Sequence, residues 1–262
     1  MNSYFDHVAA AYDKEFTHTE IGKRQRQMVY DFLEPRLPQW KDILEVNCGT
    51  GEDALWLSRN GTNVLATDIS AEMIRIAGRK AAEAGRPNVD FRQLDVNRLE
   101  ELAATNRYDL VFSNFGGLNC LDPQQLRTFL QDAAKHLLRE NGSIVLVLMS
   151  KGSIWETLFY LRKLNFKKAF RRYTNKALRV NVDGVGVPTY YYNPSFFRSL
   201  QQEFRVAAVQ TVGFLLPPSY LEPVFSRRPR LLQRLFAWER RLKSVAALAG
   251  YSDHYLIELQ PR

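Results

Sequence analysis

The stretch ILEVNCGTGEDALWLSRNG at 43–61, followed by VLATD ending at Asp68, constrains the fold more than any other part of this chain. An apolar, β-branched run (Ile43, Leu44, Val46) gives way to Asn47, Gly49 and Gly51, and then to a pattern that reads as a helix over 52–61. Glycine lets backbone approach a ligand closely. A second strand, 63–67, delivers Asp68 about twenty residues after the first glycine, the spacing at which a carboxylate can accept both hydroxyls of a ribose.

The same alternation continues along the chain. Strands are expected near 43–46, 63–67, 89–94, 109–113 and 143–149, with helices near 52–60, 71–84, 98–104 and 123–139, as in a doubly wound α/β sheet. Ile144 to Met149 is wholly apolar, as a central strand covered on both faces should be. Later strands are expected at 204–212 and 254–259, and 20–33 reads as a helix that can lie over the ligand loop. Asp183-Gly184 between alternating valines signals a hairpin. A further helix is expected at Ser195, which caps it after Pro194.

Two cofactor classes suit the loop. Gly49, Gly51 and Ala54 meet the dinucleotide pattern loosely, but a pyrophosphate on the helix N-terminus would face Glu52 and Asp53. Glu45, at the end of the first strand, suits instead a cofactor carrying an ammonium and a sulfonium. On these residues the chain resembles the class I S-adenosylmethionine-dependent methyltransferases. Their acid-x-Gly-x-Gly-x-Gly motif stands here as Glu45, Asn47, Gly49 and Gly51, with Cys48 in the same loop. Asn47 replaces the first glycine, and asparagine tolerates the left-handed backbone better than most side chains.

The resemblance further implies that Asp68, followed by Ile69, meets the ribose and that Asp95 with Val96 meets the adenine. It also implies that Asn114 and Phe115, in 108–121, face methyl donor and acceptor. The implied fold is a Rossmann-like doubly wound, mostly parallel seven-stranded sheet with an antiparallel last strand, plus helical and hairpin insertions forming a substrate lid. Each position also has a reading without a ligand. The glycines can make a tight turn, Asp68 can cap the helix starting near Ser70 or Ala71, and 114–119 can be an ordinary loop.

Between 151 and 180 stand nine Lys or Arg against one acid, Glu156; between 227 and 243 stand seven against Glu239. The formal net charge of the whole chain is +8, so the rest is net acidic. Apolar residues interleave with these charges: Trp155, Leu158, Phe159, Phe166 and Phe170 in one segment, Leu231, Leu235, Trp238 and Leu242 at helical spacing in the other. Three readings are open: amphipathic helices packed as a lid with the charges solvated, contact with an acidic carrier protein or anionic membrane surface, or contact with nucleic acid. The last is disfavoured, because Ser113-Asn114-Phe115-Gly116 lacks the Asn/Asp-Pro-Pro-aromatic signature of enzymes that methylate base amines.

Length and apolar content, 262 residues and 45%, suit one domain: a helical cover over 1–40, a cofactor core over 41–150, and lid or substrate insertions over 151–192 and 213–250. Cys48 and Cys120 suggest neither a disulfide framework nor a metal site. The N-terminus has no apolar signal core, so a cytoplasmic location is expected. The resemblance implies direct methyl displacement, and motif order together with the aromatic insertions points to a small, aromatic or apolar acceptor, with oxygen as the expected methylated atom. Alternatives are a lipid- or carrier-tethered acceptor and a non-catalytic S-adenosylmethionine-binding module; a dimer is also open. Candidate catalytic groups are His254, as a base, and Tyr191, within Tyr190 to Tyr192 beside the acceptor region.

Overall fold

The computed structural model describes residues 5–102, 107–182 and 184–262. A short helix α1 (Ala9–Tyr12) and a wide turn lead into α2 (Glu20–Leu33). Thr19 caps α2 through its hydroxyl, and the Glu222 carboxylate accepts from the amides of Glu20 and Ile21, each at 2.9 Å, placing negative charge at the positive end of the helix dipole. Then come β1 (Asp42–Val46), α3 (Glu52–Leu57), β2 (Asn63–Asp68), α4 (Ala71–Glu83), β3 (Val89–Gln93), β4 (Tyr108–Ser113), α5 (Pro123–Asp132) and β5 (Leu138–Met149). The last third comprises α6 (Ile154–Arg162), α7 (Phe166–Ala169), the hairpin β6 (Leu178–Val182) and β7 (Val185–Thr189), β8 (Phe204–Val212), α8 (Glu222–Phe225), α9 (Pro229–Leu242) and β9 (His254–Pro261).

Seven strands make one sheet in the order β3-β2-β1-β4-β5-β9-β8, with β6 and β7 as a separate pair. Strands β1 to β5 are parallel, and β9 is antiparallel to both β5 and β8, which matches the expected mostly parallel sheet with an antiparallel last strand. The period of two along β5 explains its continuous apolar run. Ile144, Leu146 and Leu148 face one apolar layer with Phe129, Leu130 and Tyr255, while Val145 and Val147 face the other with Met28, Val29 and Leu33 of α2. Because β9 runs backwards, its first residue, His254, lies opposite Met149, at the edge where the parallel strands end.

Several local expectations are corrected. The helix expected over 52–61 ends at Leu57, and a 3-10 turn follows in which Asn60 and Gly61 are left-handed, so the α pattern cannot continue. The helix expected at 98–104 is a 3-10 segment, Val96–Leu102, kinked at Arg98; its end lies outside the described residues. The helix expected to reach 139 is α up to Asp132, then a π turn over Ala133–Leu137, and β5 begins at Leu138, earlier than expected. The segment expected to start at Ser195 is a 3-10 turn beginning at Pro194. Asp183 of the hairpin turn lies outside the described residues, while Val182 pairs with Val185 across it.

Candidate active site

The site is built where β1 and β2 end side by side. Asn47, Gly49 and Gly51 all have positive φ (57°, 54° and 78°), so Asn47 supplies the left-handed conformation expected of the glycine it replaces. The amide of Gly49 donates to Asp68 Oδ2 and that of Ser70 to Asp68 Oδ1, each at 2.9 Å, which ties the loop to the second strand and leaves lone pairs on both carboxylate oxygens. Ser70, not Asp68, caps α4. Burial raises the Asp68 carboxyl above its usual range despite these amides. Gly51 sits so close to α4 that a Cβ there would lie 2.8 Å from that of Ala77, which fixes the loop against the helix. Cys48 is buried, its amide donating to Thr67 O.

Glu45 is 1% exposed and its Oε2 has no hydrogen-bond partner among the described residues. Burial chiefly raises its carboxyl well above the usual range, with Asp53 adding to the effect and Arg26 opposing it. A buried carboxylate oxygen left without a donor is costly. A cationic donor from a ligand would satisfy it, so this residue fits an amino acid ammonium.

Asp53 has a different place from the one its position suggested. It forms a buried ion pair with Arg26 of α2, accepts from Tyr30 Oη at 2.8 Å, and accepts from Asn114 Nδ2 at 3.0 Å. Glu52 is paired with Lys80 Nζ at 3.1 Å. The acids at the start of α3 are therefore compensated, and their repulsion of a pyrophosphate is weaker than a residue count implies. Asp53 instead joins α2, α3 and the loop after β4. This hub was missed from sequence; the signal was Arg26 standing beside the apolar face of α2 formed by Ile21, Met28 and Val29.

The loop after β4 carries strain. Phe115 has φ 44° and Gly116 φ 76°, a pair of left-handed residues in which only glycine is at ease. The Phe115 ring is wedged between Phe16 (5.2 Å between centroids) and His254 (5.6 Å), with the Arg26 guanidinium 5.1 Å from its centroid. Gly117 passes so near Asn47 that a Cβ would fall 2.5 Å from the Asn47 Cβ. The Asn119 side chain ties the loop to Met149 and Tyr190: its Nδ2 donates to both carbonyls and its Oδ1 accepts from the Met149 amide. Asp95 and Val96 follow β3, and Asp95 Oδ1 accepts from the amide and side chain of Asn97, each at 2.9 Å. Ile69 is 36% exposed beside Asp68.

On the acceptor side, His254 Nδ1 lies 3.2 Å from Asp253 Oδ2, an ion-pair distance whose alignment does not complete a hydrogen bond. Burial works against the Asp253 charge, but His254 and Arg172 outweigh it and hold the carboxyl at about 2. Arg172 bridges Asp253 (3.1 Å) and Glu156 (2.7 Å), so the basic insertion is tied to the site by buried charge. Its guanidinium stacks 4.8 Å from the centroid of Tyr191, which is itself buried. Tyr191 also lines a cleft of about 340 Å³ with Tyr190, Lys151, Asn193 and Phe196; none of Glu45, Asn47, Gly49 and Asp68 lines it.

This geometry agrees with known proteins. A family model described as a methyltransferase domain matches residues 43–142. The fold is the class I, S-adenosylmethionine-dependent methyltransferase fold. A solved S-adenosylmethionine-dependent methyltransferase of Clostridium acetobutylicum shares it at TM-score 0.60 and 14% identity, over 98% of this chain and 99% of that one. A malonyl-[acyl-carrier protein] O-methyltransferase of Enterobacter lignolyticus is 26% identical over 174 residues, 64% of this chain and 64% of its own length. A demethylmenaquinone methyltransferase of Paenarthrobacter aurescens is 29% identical over 123 residues, 46% of this chain. The chain spans 64% and 45% of the lengths of these two relatives. The domain's match ends before the basic insertions, so the methyltransferase core and the acceptor side have separate bases.

Proposed function

We propose that the chain transfers a methyl group from S-adenosylmethionine to the hydroxyl of a small aromatic or apolar acceptor. The observation that carries the cofactor assignment is the unpartnered, buried Glu45 carboxylate beside a loop of three left-handed residues that also holds Asp68. In this reading Glu45 takes the ammonium, the Cys48 and Gly49 loop backs the amino acid part, Asp68 takes the ribose hydroxyls, and Asp95 with Val96 takes the adenine. The bound cofactor supplies a methyl on a positively charged sulfur. The protein's part is then to hold an acceptor oxygen in line, an effect worth up to about 7–11 kcal/mol. Asn47, Asn114 and Phe115 wall the space between the two.

His254 is proposed as the base that takes the acceptor's proton, with Asp253 holding the imidazole and Arg172 holding Asp253. Tyr191 supports Arg172 through its ring. With catechol as a probe acceptor, His254→Asn is expected to lower kcat about 100-fold or more, within the range of general bases, and to flatten the pH profile, with KM little changed. No transfer to catechol or any simple phenol would sink the hydroxyl reading. Transfer at the parental rate would remove His254 from the chemistry.

The cofactor assignment is tested by calorimetry with S-adenosylhomocysteine. Asp68→Ala is expected to weaken binding about 100-fold or more, from the loss of two charge-assisted hydrogen bonds of about 1.5–3 kcal/mol each. Because burial raises the Glu45 carboxyl in the free protein, a cationic ligand lowers it on binding. Binding should therefore release protons, and affinity should rise with pH; titrations in buffers of different ionisation enthalpy measure this. Heats independent of buffer, or Asp68→Ala binding like the parent, would contradict the assignment. Binding without turnover on any acceptor would instead favour a non-catalytic module.

A carrier-tethered acceptor is the second reading. It is favoured by the outward basic residues of the insertions and by the relative that acts on a malonyl carrier protein.

A further inference from the structure

The acids of the two basic segments are all turned inward. Glu156 is 3% exposed and held by Arg171 and Arg172, and Glu239 is fully buried among backbone amides. What these segments present to solvent is therefore more uniformly positive than their composition. The apolar residues do the opposite of what a packed lid requires. Of the stripe expected to face inward on α9, Leu231 is 40% and Trp238 54% exposed, while the buried positions are Leu232 and Glu239. Leu235 of the same stripe packs half-buried against the core, so what the helix leaves uncovered is Leu231 and Trp238, with the Arg241 guanidinium 5.1 Å from the Trp238 centroid.

The same pattern is sharper at the tip between α6 and α7. Leu164 is 78% and Phe166 61% exposed, flanked by Arg162, Lys163, Lys167 and Lys168. Leu164 has φ 54°, a left-handed conformation that a leucine adopts at a cost, so an apolar side chain is held outward where glycine or asparagine would be easier. The helix that carries the tip packs on the segment leading into α9, because Phe159 of α6 meets Tyr220 (6.2 Å) and Trp155 meets Phe225 of α8 (5.5 Å), and α8 packs against α9.

We infer that this face docks the protein on an anionic lipid bilayer, with Leu164 and Phe166 entering the acyl boundary and the four flanking bases meeting the headgroups. A protruding apolar tip with bases beside it suits a surface that is apolar below and anionic above. An acidic protein partner would need a matching apolar socket, and it would have to bury the tip and the α9 stripe together. Trp238 and Tyr220, half exposed, are the side chains that settle at such an interface. No helix among the described residues is long and apolar enough to cross a membrane, so the contact is peripheral. In the methyltransferase reading, docking opens the site to acceptors dissolved in the bilayer, a step that rests on that reading; the docking itself does not.

The full-length protein is co-sedimented with vesicles of phosphatidylcholine alone and of phosphatidylcholine with phosphatidylglycerol. Binding is expected only to the anionic vesicles. It should fall about tenfold or more in Lys167→Glu/Lys168→Glu and, separately, in Leu164→Ser/Phe166→Ser, while S-adenosylhomocysteine binding stays at the parental level. Trp238→Ala provides an independent variant on α9, expected to weaken binding as well. Binding unaffected by phosphatidylglycerol, or parental binding by Leu164→Ser/Phe166→Ser, would overturn the inference. So would binding to purified acyl carrier protein in place of vesicles. Loss of cofactor binding in the parent would instead count against the proposed function alone.

Discussion

Glu239→Ala is expected to lower the unfolding free energy by about 3–5 kcal/mol, the range for removing one partner of a buried, fully engaged charge. By sequence Glu239 is merely the one acid among seven bases of 227–243. In the fold it is completely buried on the inner face of α9 and serves as the acceptor for the chain leaving β8. Its Oε1 accepts from Thr211 Oγ1 (3.0 Å) and from the amides of Gly213 and Phe214 (3.1 Å each), and its Oε2 accepts from the amides of Leu215 and Leu216. Alanine would leave five donors without this acceptor, each at a cost of about 1–3 kcal/mol if nothing relaxes. Relaxation of the loop is what keeps the total below their sum. Since stabilities of single domains are about 5–15 kcal/mol, the loss is a large share. Urea unfolding should show a lower midpoint at unchanged slope. The damage also reaches the site, because Gly213 O accepts from the amide of Asp253 at 2.9 Å, next to His254. A shift under about 1 kcal/mol would show that Glu239 is not the anchor of this loop.

Glu239 illustrates which features can be read from the chain alone. The strand, glycine turn and Asp68 were legible because their partners are near in sequence: Gly49, in the loop after β1, and Asp68, at the end of the adjacent parallel strand β2, are nineteen residues apart. The order of strands followed from the same local alternation. What stayed hidden were interactions between elements far apart. Arg172 reaches Asp253 across 81 residues, and Glu222 reaches the amides of α2 across about 200. Nothing in the spacing of bases says that Arg172 and Arg171 are used internally while Lys167 and Lys168 are not. Helical spacing predicted correctly that Leu231, Leu235, Trp238 and Leu242 share one side of α9. It could not show that the sheet takes the neighbouring stripe, because a buried carboxylate with five donors outcompetes an indole for the inner face. The helix ends failed for a local reason: α3 already stops at Leu57, before the left-handed Asn60–Gly61 pair, and the π turn at Ala133–Leu137 departs from α geometry with no proline or glycine within it.

Asp53→Ala should cost a comparable about 3–5 kcal/mol, by a different route. The carboxylate is the counter-charge of Arg26, which is 7% exposed and has a buried Nε without a hydrogen-bond partner among the described residues. Burial disfavours the guanidinium charge, but the Asp53 carboxylate outweighs it and keeps the group ionised far into the alkaline range. Removing Asp53 therefore strands a positive charge in the interior, and it also takes the acceptor from Tyr30 Oη and Asn114 Nδ2. Replacing both charges with apolar residues removes that penalty. Arg26→Leu/Asp53→Leu should recover much of the stability lost in either single variant, so the coupling energy in the double-mutant cycle should be about 1–3 kcal/mol and favour the pair. Recovered stability should not restore the site. Asn114 loses its anchor in both backgrounds, Phe115 loses the guanidinium beside its ring in the double variant, and S-adenosylhomocysteine affinity should fall about tenfold even in the stable double variant. Additive single effects would mean that the two charges are solvated independently. A double variant that binds the cofactor like the parent would mean that α2 covers the loop by packing alone.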